Sequence, residues 1–184
     1  MPEAIEMLRE DHQKVKDLFE EFEKAEEDGE KGQIVHAALN ALEIHATLEE
    51  EIFYPAVREQ INDDDQMDEA IEEHHVAKLL IGELQEMKPG DDHFDAKFKV
   101  LAESVKHHIE EEESEILPKA QDADLDQERL GEEMTERKEE LQGRKSAGAR
   151  RKVSSGNAGR RPALAKTKTG AKKNGTKTKY RQSA

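Results

Sequence analysis

The sequence predicts an all-α fold, an up-down-up-down four-helix bundle. Apolar residues recur at steps of three and four residues along four long stretches, the spacing of one face of an α-helix. The connections between these stretches are short and contain Asp, Gly and Pro, so consecutive helices are expected to pack side by side and antiparallel. Charged residues make up 40% of the 184 residues, which is typical of amphipathic helices that expose one face.

The first two helices are predicted over residues 3–28 and 32–60. Asp28 and Gly29 are expected to end the first helix, because Gly is common just after a helix C-terminus. Pro55 is expected to kink or end the second, since it has no backbone N–H to donate. The apolar stripes of these helices contain Ile5, Leu8, His12, Val15, Phe19 and Phe22, then Ile34, Ala38, Ala41, His45, Leu48, Ile52 and Ala56.

The third helix is predicted over residues 66–87, ended by the Lys-Pro-Gly sequence at 88–90. The fourth is predicted to run to about residue 117, with Asp91 or Asp92 as its N-cap. Their stripes contain Met67, Ile71, His74, Ala77, Ile81 and Leu84, then Phe94, Phe98, Leu101, Val105, His108 and Glu112.

Composition divides the chain into three segments. Residues 1–120 hold the predicted bundle, and residues 121–143 form a charged extension whose sparse apolar positions favour a short fifth helix. Residues 144–184 have few large apolar residues and no periodicity, so they are predicted to be disordered.

The charge is distributed unevenly between these segments. Residues 144–184 contain 14 Lys and Arg and no acidic residue, whereas residues 1–143 contain 15 basic and 44 acidic residues, a net charge of −29. The basic tail is expected to bind DNA, RNA or another polyanion in a salt-dependent way. The alternative is that it contacts its own acidic bundle or only improves solubility.

Several protein classes are disfavoured by residue content. The chain has no Cys, which excludes disulfides, thiolate metal sites and a cysteine nucleophile. The N-terminal residues lack a basic and an apolar region, so no signal peptide is expected. No apolar stretch is long enough to span a membrane, and a cytoplasmic protein is the expectation.

A repeated motif carries the strongest functional signal. His45 is followed by Glu49 and Pro55, and 63 residues later His108, Glu112 and Pro118 repeat the spacing. Residues four apart lie on one face of a helix, so each copy presents an imidazole and a carboxylate together. This pair of groups suits a first-row transition metal, and two copies indicate a site for two metals.

The repeat extends to a second pair of histidines. His12 lies 33 residues before His45, and His74 lies 34 residues before His108, each in the apolar stripe of its helix. A single histidine in such a position is more often a hydrogen-bonded core residue. Four buried imidazoles beside two carboxylates would be costly to desolvate without a cation, so the set favours metal binding. Solvated or supporting roles are expected for the other four histidines, His36, His75, His93 and His107.

Taken as a set, these motifs resemble the hemerythrin-like, or HHE cation-binding, domain family over residues 1–120. The motifs that carry the resemblance are Asp11-His12, His45-x-x-x-Glu49-Glu with Pro55, Glu73-His74-His-Val-Ala-Lys78, and His107-His108-x-x-x-Glu112-Glu with Pro118.

The resemblance implies a non-haem di-iron centre with an oxo or hydroxo bridge. Glu49 and Glu112 would then bridge two iron ions, and the terminal ligands would be His12, His45, His74 and His108. The family's last His and carboxylate are spaced by five in oxygen carriers, which would select Glu113, whereas the internal repeat favours Glu112.

One position departs from the oxygen-carrying members of the family. Lys78 stands where they have a fifth histidine, and an ammonium group has no lone pair for a metal. By the implied ligand count, about two coordination positions stay open on a pair of octahedral ions. Rapid oxidation by dioxygen, rather than long-lived carriage, is therefore expected.

Three functions remain open at this point. The first is a di-iron protein that binds or senses dioxygen, peroxide, nitric oxide or iron. The second is an iron-dependent enzyme that removes peroxide or nitric oxide. The third is a nucleic-acid-associated iron or redox protein that uses the basic tail.

Overall fold

The computed structural model describes residues 3–61 and 64–156, with side chains described up to residue 144. Of the described residues, those up to 147 form one compact unit, and residues 148–156 belong to a second. The elements of the described residues are all helical: α1 Ala4–Lys24, α2 Asp28–Leu48, a π-helical turn Glu49–Phe53, α3 Tyr54–Ile61, α4 Asp64–Glu86, α5 Phe94–Glu111, a second π-helical turn Glu112–Ile116, α6 Leu117–Asp122 and α7 Gln127–Gly156.

The predicted four-helix bundle is confirmed. Helix α1 pairs with α2, and α4 pairs with α5, while α3 and α6 are continuations of α2 and α5 beyond their π-helical turns. Among the described residues no helix is long and apolar enough to cross a membrane.

The apolar core consists of two clusters, one toward each end of the bundle. One cluster contains Val15, Leu42, Ile81 and Val105, and the other contains Leu8, Leu48, Ala70 and Ile116. Helices α1, α2 and α4 each contribute residues to both clusters, and the chain after α5 enters the second cluster at Ile116. A buried polar layer lies between them.

Two predicted helix boundaries were wrong. Helix α1 ends at Lys24, and Asp28 and Gly29 begin α2 instead of ending α1. The backbone is extended at Ala25 and Glu27, so the turn is made earlier than the Gly suggested. A negative charge at Asp28 is favourable in the first turn of α2, where the helix dipole is positive.

The predicted Asp cap of α5 was also wrong. His93 occupies the N-cap position in the left-handed conformation, with φ of 69° and no capping bond from its side chain. Asp91 instead accepts the backbone N–H of Lys88 at 2.8 Å through Oδ2, closing the turn after α4. Asp commonly bonds to its own turn in this way, which removes it from the cap.

The fifth helix is present and longer than predicted. Helix α7 packs Leu130 and Met134 into the second apolar cluster, where each is almost fully buried. It then continues to Gly156, so it includes residues 144–156 of the predicted tail. Ala, Lys and Arg favour helix, and adding residues to a formed helix costs less than starting one. The rest of the predicted tail, residues 157–184, lies outside the described residues.

Candidate metal centre

The polar layer brings together all six residues that the sequence selected. Each of the four main helices contributes one histidine, and each π-helical turn begins with one of the glutamates. Exposed fractions are between 0% and 6% for His12, His45, Glu49, His74, His108 and Glu112.

Four of the six residues form a first group. The Nε2 atoms of His12 and His45 are 3.1 Å apart. His12 Nε2 lies 3.0 Å from Oε2 of Glu112, and His45 Nε2 lies 3.0 Å from Oε1 of Glu49. One donor atom from each of these residues falls within 4.8 Å of the others.

The second group contains the remaining two histidines and shares Glu49 with the first. His74 Nε2 is 3.1 Å from His108 Nε2 and 3.2 Å from Oε2 of Glu49. Glu49 therefore presents one oxygen to each group. Glu112 falls in the first group, and the second is formed by Glu49, His74 and His108.

The spacing and the lack of hydrogen bonds both fit bound cations. Bonds of about 2.1 Å at right angles place neighbouring donor atoms about 3.0 Å apart, whereas tetrahedral angles would give about 3.4 Å. The observed 3.0–3.2 Å fits the first geometry. Among the described residues, all four oxygens of Glu49 and Glu112 lack a hydrogen-bond partner. Burying two carboxylates in this way is costly unless positive charge compensates them.

An outer layer of carboxylates contacts the Nδ1 atoms of the histidines, on the opposite side of each ring from Nε2. Nδ1 of His12 bonds to Glu113 at 2.9 Å, Nδ1 of His74 to Glu50 at 2.9 Å, and Nδ1 of His108 to Glu73 at 2.8 Å. Asp11 lies 4.0 Å from Nδ1 of His45. A carboxylate on Nδ1 fixes the tautomer that leaves Nε2 free for a metal, and such partners are typical of metal-binding histidines.

The protonation of His45 and Glu49 reflects the charge balance of the polar layer. Burial alone would lower the pKa of His45, but the carboxylate of Glu49 raises it to about 10. Burial would raise the pKa of Glu49, but the positive charge of His45 holds it well below its usual value. Without a cation, the proton on His45 compensates the buried carboxylate of Glu49. A metal ion would replace that proton.

Comparison with known proteins agrees with this arrangement. Residues 3–120 match the family of the hemerythrin HHE cation binding domain. The chain belongs to this family. The HHE domain thus contains the whole of the polar layer and the helices that form it.

A solved structure shows the same fold. The crystal structure of a hemerythrin HHE cation binding domain-containing protein from Mycobacterium kansasii superimposes with a TM-score of 0.70 and 24% identity, covering 87% of this chain and 96% of that one. The share of 87% is larger than residues 3–120 represent, so the likeness extends beyond the HHE segment.

A curated relative is similar in sequence. A protein of Nostoc sp. (strain PCC 7120) named "DNA nickase" is 29% identical over 112 residues, which is 61% of this chain. The matched region spans about a third of the relative's length, 32%.

Within the HHE domain, Glu112 and Glu113 have different positions. Glu112 is buried beside His12 Nε2, whereas Glu113 is partly exposed and contacts His12 Nδ1 and Lys16 Nζ. The structure thus places Glu112 inside the layer and Glu113 behind it. The ligand set itself remains a prediction.

The position of Lys78 also has a clear structural role. Its Nζ lies 2.6 and 2.5 Å from the two oxygens of Glu50, which supports His74 from behind. His75 is exposed, so it does not enter the polar layer. Neither His75 nor Glu113 takes the place of the missing histidine.

Tyr54 is a residue of this site that the sequence pattern did not reveal. Its ring stacks on His74 with centroids 5.7 Å apart, and its buried hydroxyl has no hydrogen-bond partner among the described residues. Burial and the charges of Glu49 and Glu112 raise the pKa of Tyr54 well above its usual value, so the hydroxyl keeps its proton. Tyr54 directly precedes Pro55 and follows the first π-helical turn, and this position next to the repeated motif was the sequence feature that could have indicated its role.

Proposed function

We propose that this HHE domain is a non-haem di-iron protein that binds or senses a small oxidant, of the class of dioxygen, peroxide or nitric oxide. The six-residue polar layer carries the proposal, because Glu49 directs one oxygen to each of two donor groups. A single ion would not need a carboxylate shared in this way. The two ions would be held by His12, His45, Glu49, His74, His108 and Glu112.

The donor set supports iron as the metal. Imidazole and carboxylate together suit iron, and the chain has no thiolate that would favour softer ions. When bound, iron would supply one-electron redox chemistry and an acceptor for a small ligand. The supporting carboxylates hold each imidazole in the tautomer that such binding needs.

The space beside the polar layer limits the size of the ligand. A cavity of about 30 Å³ borders all four histidines and is otherwise lined mainly by Val15, Leu42, Ala46, Ala77 and Ile81. A single water occupies about 30 Å³ of liquid volume, so the cavity fits a molecule of two or three atoms. Its apolar walls favour an uncharged diatomic molecule and exclude larger organic substrates.

Metal analysis of adjacent histidine variants tests the proposal. Protein purified without oxygen is expected to contain about two irons per chain, because two donor groups are present. His74→Ala should lose one or both irons, while His75→Ala, the exposed neighbour, should keep both. Equal iron content in the two variants would show that the buried layer does not hold the metal.

Ligand binding should be visible in the optical spectrum of the iron-loaded protein. Azide or nitric oxide is expected to change the spectrum, because the cavity beside the histidines admits a molecule of that size. A spectrum unchanged by either molecule would contradict a small-ligand site.

A second proposed function is association with nucleic acid through the basic segment. The 14 basic and no acidic residues of 144–184 favour it. The relative from Nostoc sp. is named for an action on DNA, which also supports an association with nucleic acid. In this case the HHE domain would act as an iron or redox module next to a polyanion-binding segment.

A further inference from the structure

Besides the apolar cavity, a groove on the protein surface reaches the polar layer at Glu112. It is a groove of about 290 Å³ along α4, bounded on its other side by α5 and the second π-helical turn. Its inner end reaches His108 and Glu112. The groove is lined by Asp65, Gln66, Glu69, Ala70, Glu73, His108, Glu111, Glu112, Glu115 and Ile116.

The walls of this groove are lined by regularly spaced acids. Asp65, Glu69 and Glu73 are four residues apart on α4, and Glu111 and Glu115 are four apart on the opposite wall. Like charges at this spacing destabilise a helix. Gln66 donates to Glu115 at 2.5 Å, and Arg58 pairs with the neighbouring Asp64 and Asp68.

A third cluster of metal-binding groups lies beside the groove and includes Glu73 and Glu111 of its lining. His107 Nε2 lies 3.3 Å from Oε1 of Glu111 and 3.9 Å from Oε1 of Glu73. One donor atom of each residue lies within 4.8 Å of the others. His107 is 63% exposed, so an ion can reach this cluster from solvent.

The inner end of the groove presents a buried acid of the polar layer, Glu112, whose Oε2 lies 3.0 Å from His12 Nε2. Glu112 is 1% exposed, and neither of its oxygens has a hydrogen-bond partner among the described residues. Glu73 connects the two ends, because its Oε1 faces His107 while its Oε2 bonds to Nδ1 of His108 at 2.8 Å. Acidic side chains thus occur along the groove from its exposed walls to the buried Glu112.

We propose that this groove is the loading route for divalent cations, with His107, Glu111 and Glu73 as the first binding position. The inference rests on the proposed metal centre. An acidic groove concentrates cations and speeds their arrival, an effect that weakens as salt rises. For uncharged ligands the apolar cavity remains, which shares only Glu73 and His108 with the groove.

Uptake of Co²⁺ by metal-free full-length protein tests the route, because Co²⁺ absorbs visible light when imidazole and carboxylate bind it. The groove variant is Asp65→Asn, Glu69→Gln and Glu115→Gln together. The control is Glu72→Gln, Glu86→Gln and Glu110→Gln, three exposed acids of α4 and α5 outside the groove. Both variants change the net charge equally, so they differ only in where the acids stood.

The groove variant should take up Co²⁺ about tenfold more slowly at low salt, with the difference shrinking at high salt. The control should load at nearly the wild-type rate, and all three proteins should reach the same final Co²⁺ content. A His107→Ala and Glu111→Gln double variant should also load more slowly, and an unchanged rate would remove the first binding position. Equal rates for groove and control variants would overturn the route alone. Failure of the wild type to bind Co²⁺ would overturn the centre and the route together.

Discussion

At the scale of single residues, the four carboxylates that face the Nδ1 atoms of the histidines form a closed ring around the candidate metal centre. Each one is adjacent in sequence to a proposed ligand, yet it faces a histidine of another helix. Asp11 of α1 faces His45 of α2, and Glu50 after α2 supports His74 of α4. The ring is completed by Glu73 of α4 on His108 and by Glu113 after α5 on His12.

This ring explains what the sequence could and could not predict about the site. The six inward residues follow from the helical period and from the 63-residue repeat. The acids next to them were visible as neighbours, but the helical period cannot show which residue of another helix they face. Tyr54 was missed because an aromatic residue beside a proline is ordinary in a helix.

The neighbouring acids Glu112 and Glu113 provide a matched pair of substitutions. Glu112→Gln should release one or both irons, because it removes a buried negative charge beside His12 Nε2. Glu113→Gln should keep two irons and weaken their binding by about 10- to 100-fold, as expected for a residue that supports a ligand. Iron content and affinity against a chelator measure both effects.

Loss of iron from Glu113→Gln but not from Glu112→Gln would reverse the assignment. It would then favour the five-residue spacing between His108 and the carboxylate.

At the scale of elements, the two π-helical turns repeat the sequence motif in three dimensions. In each turn, the residue before the proline donates its N–H to the carbonyl of the first Glu, Tyr54 to Glu49 and Leu117 to Glu112. Proline has no N–H and its ring crowds the carbonyl four residues earlier, so a wider turn before it relieves the clash. π-helical turns are frequent at functional sites.

The sequence therefore predicted that Pro55 would disturb the helix, but not the form of the disturbance. A kink or an end was expected, but the helix continues to Ile61 after the wider turn. The sequence shows that the usual hydrogen bond is missing. It does not show that adding one residue to the preceding turn restores helical geometry.

Helix α7 is predicted to contribute to the stability of the HHE bundle. Met134 is fully buried in the second apolar cluster, so Met134→Ala should lower the free energy of unfolding by about 2–5 kcal/mol. Glu132→Ala, on the exposed face of the same helix, should change it by less than about 0.5 kcal/mol. Urea denaturation of the iron-loaded proteins would compare them, and equal stability would show that α7 is not part of the folded unit.

At the scale of the whole molecule, the sequence predicted the bundle well because the two halves repeat the same helical pattern. It predicted the extent of α7 poorly, since up to residue 144 Leu130 and Met134 are the only buried large apolar residues of this helix. The charge division between residues 1–143 and 144–184 is independent of the fold. It predicts two separable activities, metal binding by the first segment and polyanion binding by the second.

Truncation after Gly143 tests this separation. The truncated protein should keep about two irons, because all six proposed ligands precede the cut. It should also lose affinity for double-stranded DNA, because the cut removes 14 basic residues and leaves a net charge of −29. The logarithm of the affinity of the full chain for DNA should fall linearly with the logarithm of the salt concentration, with a slope of about 0.9 for each phosphate contacted.

A full-length variant with Arg150, Arg151, Arg160 and Arg161 changed to Gln keeps the chain length. Its salt slope should be smaller by about 0.9 for each lost contact, for up to about four contacts. Equal DNA binding by the full, truncated and substituted proteins would refute a role for the basic segment, whereas loss of iron on truncation would refute the separation.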